Sequence, residues 1–253
     1  CSSDLVPVSE LLLSMRDLVI EADIDGQWKP IVNGLSMNLH KGEIVGLIGE
    51  SGAGKSTFGL AGMGYTKPGC RIISGSIMLE GEELVGAASS RLREIRGNSV
   101  SYVAQSAAAA FNPAHRLIEQ FVESPVQHGK MRSEEAARRG RDLYRQLDLP
   151  DPDHIGNRFP HQVSGGQLQR AMTAMAMGCD PRLIVFDEPT TALDVTTQIE
   201  VLSTIKEAVR ARGVAAIYIT HDLAVVAQLA DRIMVLRYGD LVEEGNARDL
   251  LES

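Results

Sequence analysis

Residues 49–57 read GESGAGKST and directly follow the apolar run EIVGLI at 43–48. The stretch fits G-x4-G-K-[ST], a pattern that cradles phosphate when a strand precedes it and a helix follows. Gly49, Gly52 and Gly54 let backbone N–H groups curl around phosphate oxygens, and Ser51 and Thr57 belong to the same cradle. Lys55 can reach the outer phosphates, and the Ser56 hydroxyl can ligate Mg2+. A glycine-rich turn with an incidental lysine is the plain alternative, and the strand ahead of the loop argues against it.

A phosphate cradle needs an acid to hold the metal, and residues 183–188, LIVFDE, supply one at the end of an apolar strand. Asp187 takes the metal, through water, and Glu188 is placed to orient an attacking water. Two further residues end apolar runs, and alone neither is remarkable: Gln105 after VSYVA and His221 after VAAIYIT. Residues 163–170, VSGGQLQR, pose a different problem. A polar residue and two glycines at the mouth of a helix expose N–H groups at its positive end, which makes a second anion site in a chain that already has one.

The rest of the chain bounds these readings. With 253 residues, 44% hydrophobic and 23% charged, it is ordinary for a folded globular protein. A net charge of −8 argues against binding nucleic acid. The arginines between 132 and 145 alternate with Glu134, Glu135 and Asp142 at helical spacings and read as a solvated helix face. Cys1, Cys70 and Cys179 form no CxxC pair, so neither a disulfide framework nor a zinc site is indicated, and a reducing compartment fits. Cys1-Ser2-Ser3 has only a superficial likeness to a lipoprotein start. No apolar run approaches the roughly 18 to 20 residues that span a bilayer.

Up to about residue 86, short β-like runs alternate with turns. Residues 87–162 are rich in Ala, Glu, Arg and Leu and read as a helical subdomain. After 163, continuous apolar strands alternate with helical stretches at 197–210 and 223–229, which predicts a parallel sheet covered on both faces. Ligands then belong at the carboxyl ends of its strands.

In order and spacing these motifs resemble those of the ATP-binding cassette (ABC) ATPases. GESGAGKST matches Walker A, Gln105 the Q-loop, VSGGQ the signature, LIVFDEP Walker B, TALD (191–194) the D-loop and His221 the switch histidine. The resemblance implies an α/β fold: a P-loop NTPase (RecA-like) core with an N-terminal antiparallel β subdomain and an inserted helical subdomain. The whole chain, 1–253, would be one ABC ATPase domain, with 1–86 and 163–253 as core and 87–162 as insert. It implies ATP and Mg2+ as cofactors, with Ser56, Gln105 and Asp187 at the metal and Glu188, His221 and Gln105 in catalysis.

The resemblance also gives the second anion site a purpose. Two cassettes of this family pack head to tail, so Ser164, Gly165, Gly166 and Gln167 would meet the γ-phosphate held by a second subunit, and Asp194 would couple the two sites. The aromatic residue that usually stacks on adenine is missing near 21–22, and Trp28 is the nearest substitute.

QSAAAAFNP after Gln105, PHQVSGGQLQR and FDEPTTALDVTTQ resemble the peptide and nickel importer branch. That branch implies a peripheral subunit at the cytoplasmic face of a bacterial inner membrane, partnered by a second ATPase subunit, permease subunits and, indirectly, a solute-binding protein. One cassette of a tandem protein, a regulatory module and a non-transport ABC ATPase are the rivals, whereas a P-loop kinase has no use for VSGGQ. Phe111, Asn112 and Pro113 are expected to line a groove for a permease helix, with Phe111 as apolar anchor; the alternative packs Phe111 inside the helical subdomain.

Overall fold

The computed structural model describes residues 10–191 and 193–252. The Cys1-Ser2-Ser3 start and Ala192 of the D-loop lie outside the described residues. Cys70 and Cys179 are free thiols.

β1 (Leu11–Ile24) and β2 (Gln27–His40) form a hairpin closed by Asp25 and Gly26. Both turn residues have positive φ, 54° and 77°, the requirement of a two-residue turn whose twist suits the strands. After β3 (Ile44–Gly49) and α1 (Lys55–Ala61), β4 (Cys70–Leu79) returns antiparallel to β1 and is edged by the short β5 (Glu82–Glu83). The result is a four-stranded sheet in the order β2-β1-β4-β5.

α2 (Ser89–Ile95) leads into β6 (Val100–Val103), and here the structure corrects the sequence reading. Residues 87–162 are not helical throughout, because β6 pairs in parallel with β7 (Leu183–Asp187) and so belongs to the central sheet. The cause is local: the run Val-Ser-Tyr-Val has strand propensity, and Val100 and Val103 are buried on opposite faces. Beyond it, α3 (Ala107–Ala110), α4 (Leu117–Gln127), α5 (Ser133–Gln146) and two 3-10 turns make up the helical insert.

α6 (Gly165–Met177) returns the chain to the core. α7 (Val195–Ala211), β8 (Ala215–Thr220), α8 (Leu223–Leu229), β9 (Arg232–Arg237), β10 (Asp240–Asn246) and α9 (Ala247–Glu252) complete it. The central sheet runs β10-β9-β3-β8-β7-β6, parallel except for β10.

Every residue of β7 and β8 is buried. Along β7, Leu183 and Val185 face a core shared with α1 and the small sheet, whereas Ile184 and Phe186 face one shared with α4 to α8. Burial on both faces explains why these strands read as continuous apolar runs.

Phe111 is 5% exposed and belongs to that second core, which removes it as a surface anchor. Asn112 beside it donates its N–H to Gln120 on α4 at 2.8 Å and caps the turn through Ala114 N–H. The expected docking groove is therefore not built on Phe111, whose ring is drawn inward by the apolar area it buries.

Candidate active site

The glycine loop leaves the carboxyl end of β3. Gly49 and Gly54 have φ of 150° and 88°, and a Cβ would stand 2.1 Å from Leu236 O at the first and 2.5 Å from Ile31 O at the second. Only glycine admits the loop this close to β9 and β2. Lys55, 5% exposed, donates from Nζ to Gly49 O at 2.7 Å and Glu50 O at 2.8 Å. Burial lowers its pKa, and the charges of Glu188 and Asp187 oppose that shift.

Asp187 ends β7 and is 7% exposed. Its Oδ1 accepts from Ser56 Oγ at 2.6 Å and its Oδ2 from the Tyr102 phenol at 3.1 Å. Burial, then the Asp187 charge, pushes the Tyr102 phenol above its ordinary range, so it is a donor at neutral pH. Among the described residues no group of three or more His, Cys, Asp or Glu stands together as a metal site. A hydroxyl and one carboxylate beside a phosphate cradle are instead the hard oxygen donors that suit Mg2+, which takes its remaining ligands from phosphate and water.

Glu188 adopts φ +48°, a left-handed conformation that costs about 1 kcal/mol or more, and its N–H donates to Ile219 O at 2.9 Å. Three side chains reach the same carboxylate oxygen, Oε2: Gln105 Nε2 at 3.4 Å, Thr191 Oγ1 at 3.2 Å and His221 Nδ1 at 3.3 Å. These come from the ends of β6, β7 and β8. The parallel sheet brings them to one edge although more than a hundred residues separate Gln105 from His221.

A cleft of about 540 Å³ is lined by Ser51, Gly52, Gly54, Lys55, Ser56, Thr57, Gln105 and Glu188, with Ile24, Ile31, Ala53 and Lys67. Trp28 does not line it, which corrects the adenine-stacking expectation. Its ring lies under the Arg71 guanidinium at 3.9 Å, and Arg71 is paired with Glu21. The reason is register: Trp28 pairs with Asp23, and the next pair, Ile24 with Gln27, points to the other face of the hairpin, while a register shift falls at Ile31. Ile24, Ile31 and Tyr102 were missed in the sequence, and Thr191 was read there only as the first residue of the D-loop, without its contact to Glu188. A β-hairpin template around Asp25-Gly26 could have found Ile24, whereas Ile31 sits at a register shift that such a template does not place.

The VSGGQ segment does not line this cleft. Ser164 caps α6, its Oγ accepting from Gln167 N–H at 3.3 Å while Gln167 Oε1 accepts from Ser164 N–H at 3.1 Å. Gly165 is exposed, but Gly166 is buried against Thr197 on α7, so its missing side chain serves packing inside the chain. Asp194 is the cap of α7, accepting from Thr197 N–H at 3.0 Å, and that hydrogen bond holds its carboxyl below the usual range.

A family model described as "ABC transporter" matches residues 32–191. Over 245 residues the chain is 38% identical to the oligopeptide transport ATP-binding protein OppD of Lactococcus lactis subsp. lactis, covering 97% of this chain and 72% of that protein. Over 222 residues it is 40% identical to the oligopeptide transport ATP-binding protein AppD of Bacillus subtilis, covering 87% of this chain and 68% of that one. Among solved structures, the ATP-binding cassette MJ0796, described as dimeric and bound to ADP and Pi, superposes with a TM-score of 0.81 at 24% identity, covering 94% of this chain and 99% of that one. At that identity the likeness is one of fold.

Proposed function

Because the chain belongs to the ABC transporter family, we propose that it is the ATP-hydrolysing subunit of a bacterial importer of peptides or a related small solute. The observation that carries the reading is the convergence of Gln105, Thr191 and His221 on Glu188 Oε2 at the rim of the glycine-loop cleft. A module that only binds nucleotide has no need of a carboxylate held this way.

The loop amides hold the phosphates, and Lys55 moves from the carbonyls of Gly49 and Glu50 to phosphate oxygens. Ile24 and Ile31 offer an aliphatic seat to the base. Ser56 Oγ, Asp187 through water and Gln105 would hold Mg2+, which supplies charge neutralisation for the leaving phosphate when bound. Glu188 orients and polarises the attacking water, and His221 steadies that carboxylate.

The capped end of α6, with Ser164, Gly165 and Gln167, serves a nucleotide held by a second cassette, and Asp194 stands beside it. Binding closes the pair and hydrolysis reopens it, a motion passed to permease subunits and, through them, to a solute-binding protein. No helix of the described residues is long and apolar enough to cross a membrane, which fits a peripheral subunit at the cytoplasmic face. We divide the fold into a core, residues up to about 106 and from 163 onward, and a helical insert between them.

The test is steady-state ATPase of the purified chain with Mg2+, with and without DNA, and sedimentation with MgATP. DNA-independent turnover and nucleotide-dependent pairing are expected. Turnover that requires DNA would move the protein to the non-transport members of the family.

A further inference from the structure

Among the described residues, Tyr102 is the one side chain hydrogen-bonded to Asp187 that has no part in the mechanism above. It lies on β6 in register with Val185 of β7, and its phenol O–H donates to Asp187 Oδ2 at 3.1 Å. Ser56 Oγ donates to Oδ1 of the same carboxylate at 2.6 Å. Each oxygen of a carboxylate that is 7% exposed is thus gripped by one hydroxyl.

With a single donor, a carboxylate keeps a broad torsional freedom about its last bond, and a second donor on the other oxygen fixes its plane. That plane decides which lone pairs face Ser56 and the phosphates. Mg2+ demands near-ideal octahedral geometry and keeps several of its waters, so the cost of a wrongly turned carboxylate, which would hold the cation through one of those waters, falls on metal affinity rather than on phosphate contacts.

The tyrosine is not needed for the packing of its strand. Val100 and Val103, both 0% exposed, anchor β6 on its two faces, whereas Tyr102 is 38% exposed and belongs to neither core. Among the described residues its hydroxyl is hydrogen-bonded to Asp187 alone.

We propose that Tyr102 is a positioning residue for the divalent cation of the nucleotide site, acting through Asp187 by holding Oδ2 so that the opposite edge of the carboxylate faces Ser56 and the metal. The inference rests on the MgATP reading of the preceding subsection. Groups that orient a metal ligand from behind typically change metal affinity by about 10- to 100-fold.

The experiment compares Tyr102→Phe with the parent in a Glu188→Gln background, where ATP is bound but not turned over. Mn2+ is titrated as probe by electron paramagnetic resonance in the presence of ATP. ATP affinity in excess chelator and the melting temperature are measured beside it. The expected result is about a tenfold weaker Mn2+ affinity, with unchanged chelator-state ATP affinity and unchanged melting temperature. Equal Mn2+ affinity in parent and variant overturns this inference alone. A variant that loses ATP affinity in chelator as much as it loses Mn2+ affinity has a structural defect, and that also overturns it. A parent that binds no ATP overturns the nucleotide reading itself.

Discussion

A Cβ on Gly166 would stand 2.5 Å from Thr197 Cγ2. Thr197 also donates its N–H to Asp194, so the start of the signature helix and the capped start of α7 share one residue. The signature and the D-loop of one chain are therefore a single packed unit. Gly166→Ala, a change that favours an isolated helix, is expected to destabilise here by about 1 to 3 kcal/mol through overpacking. At Gly165 the nearest atom is a flexible Leu193 methyl at 3.2 Å, so Gly165→Ala leaves stability within about 1 kcal/mol. Urea melts of both variants decide it; equal stabilities would mean that the two helices are not locked.

Glu188→Gln keeps the cleft and the loop amides intact but removes the negative charge on which Gln105, Thr191 and His221 converge. Turnover is expected to fall by roughly 10²- to 10⁴-fold with ATP affinity preserved, and a nucleotide-bound pair should accumulate. Near-normal ATPase in this variant would remove Glu188 from the chemistry.

Lys55 lies inside the cleft and Ser164 does not line it. Lys55→Ala should weaken ATP binding by the monomer, whereas Ser164→Arg should leave that binding alone and block pairing. Loss of the cap costs Ser164→Arg about 0.5 to 2 kcal/mol of stability, so Ser164→Asp, which keeps a cap but sets a charge against a partner's phosphate, is the cleaner variant. If monomers of the two Ser164 variants bind ATP as poorly as Lys55→Ala, the signature does not serve a second subunit.

Phe111→Ala should lower stability by about 3 to 5 kcal/mol, the cost of emptying a buried aromatic site, and should reduce basal ATPase with it. Pro113→Ala, at an exposed position, should leave both close to the parent. A Phe111→Ala protein with an unchanged melting temperature and lost permease response would restore the docking role.

Burial alone would raise Glu43, but hydrogen bonds from Arg232 and from the His40 backbone hold it below its ordinary 4.5. A carboxyl depressed on folding adds stability above that value and loses it as pH falls through the lower, folded one. Glu43→Gln should therefore cost about 1 to 3 kcal/mol at pH 7 and progressively less below about pH 4.5. A difference in melting temperature that stays constant between pH 7 and pH 3 would show that the carboxylate charge contributes nothing.

Whatever follows from one short stretch of backbone was legible in the sequence. The glycine loop, the continuous apolar strands β7 and β8, the helix at Leu223–Leu229 and the polar helix mouth at Ser164 all declare themselves through periodicity and turn chemistry within about ten residues. The structure alone decided which faces meet. It placed β6 in the central sheet and Phe111 in a core. Through the β1–β2 register it set Ile24 and Ile31 at the cleft and turned Trp28 under Arg71. It also brought Tyr102 to Asp187 and Thr191 to Glu188. Side-chain period says only that a residue has a face. Pairing register and the packing of apolar area between elements far apart in the chain choose what that face touches, because burial is non-directional and a shift of one residue turns every side chain over.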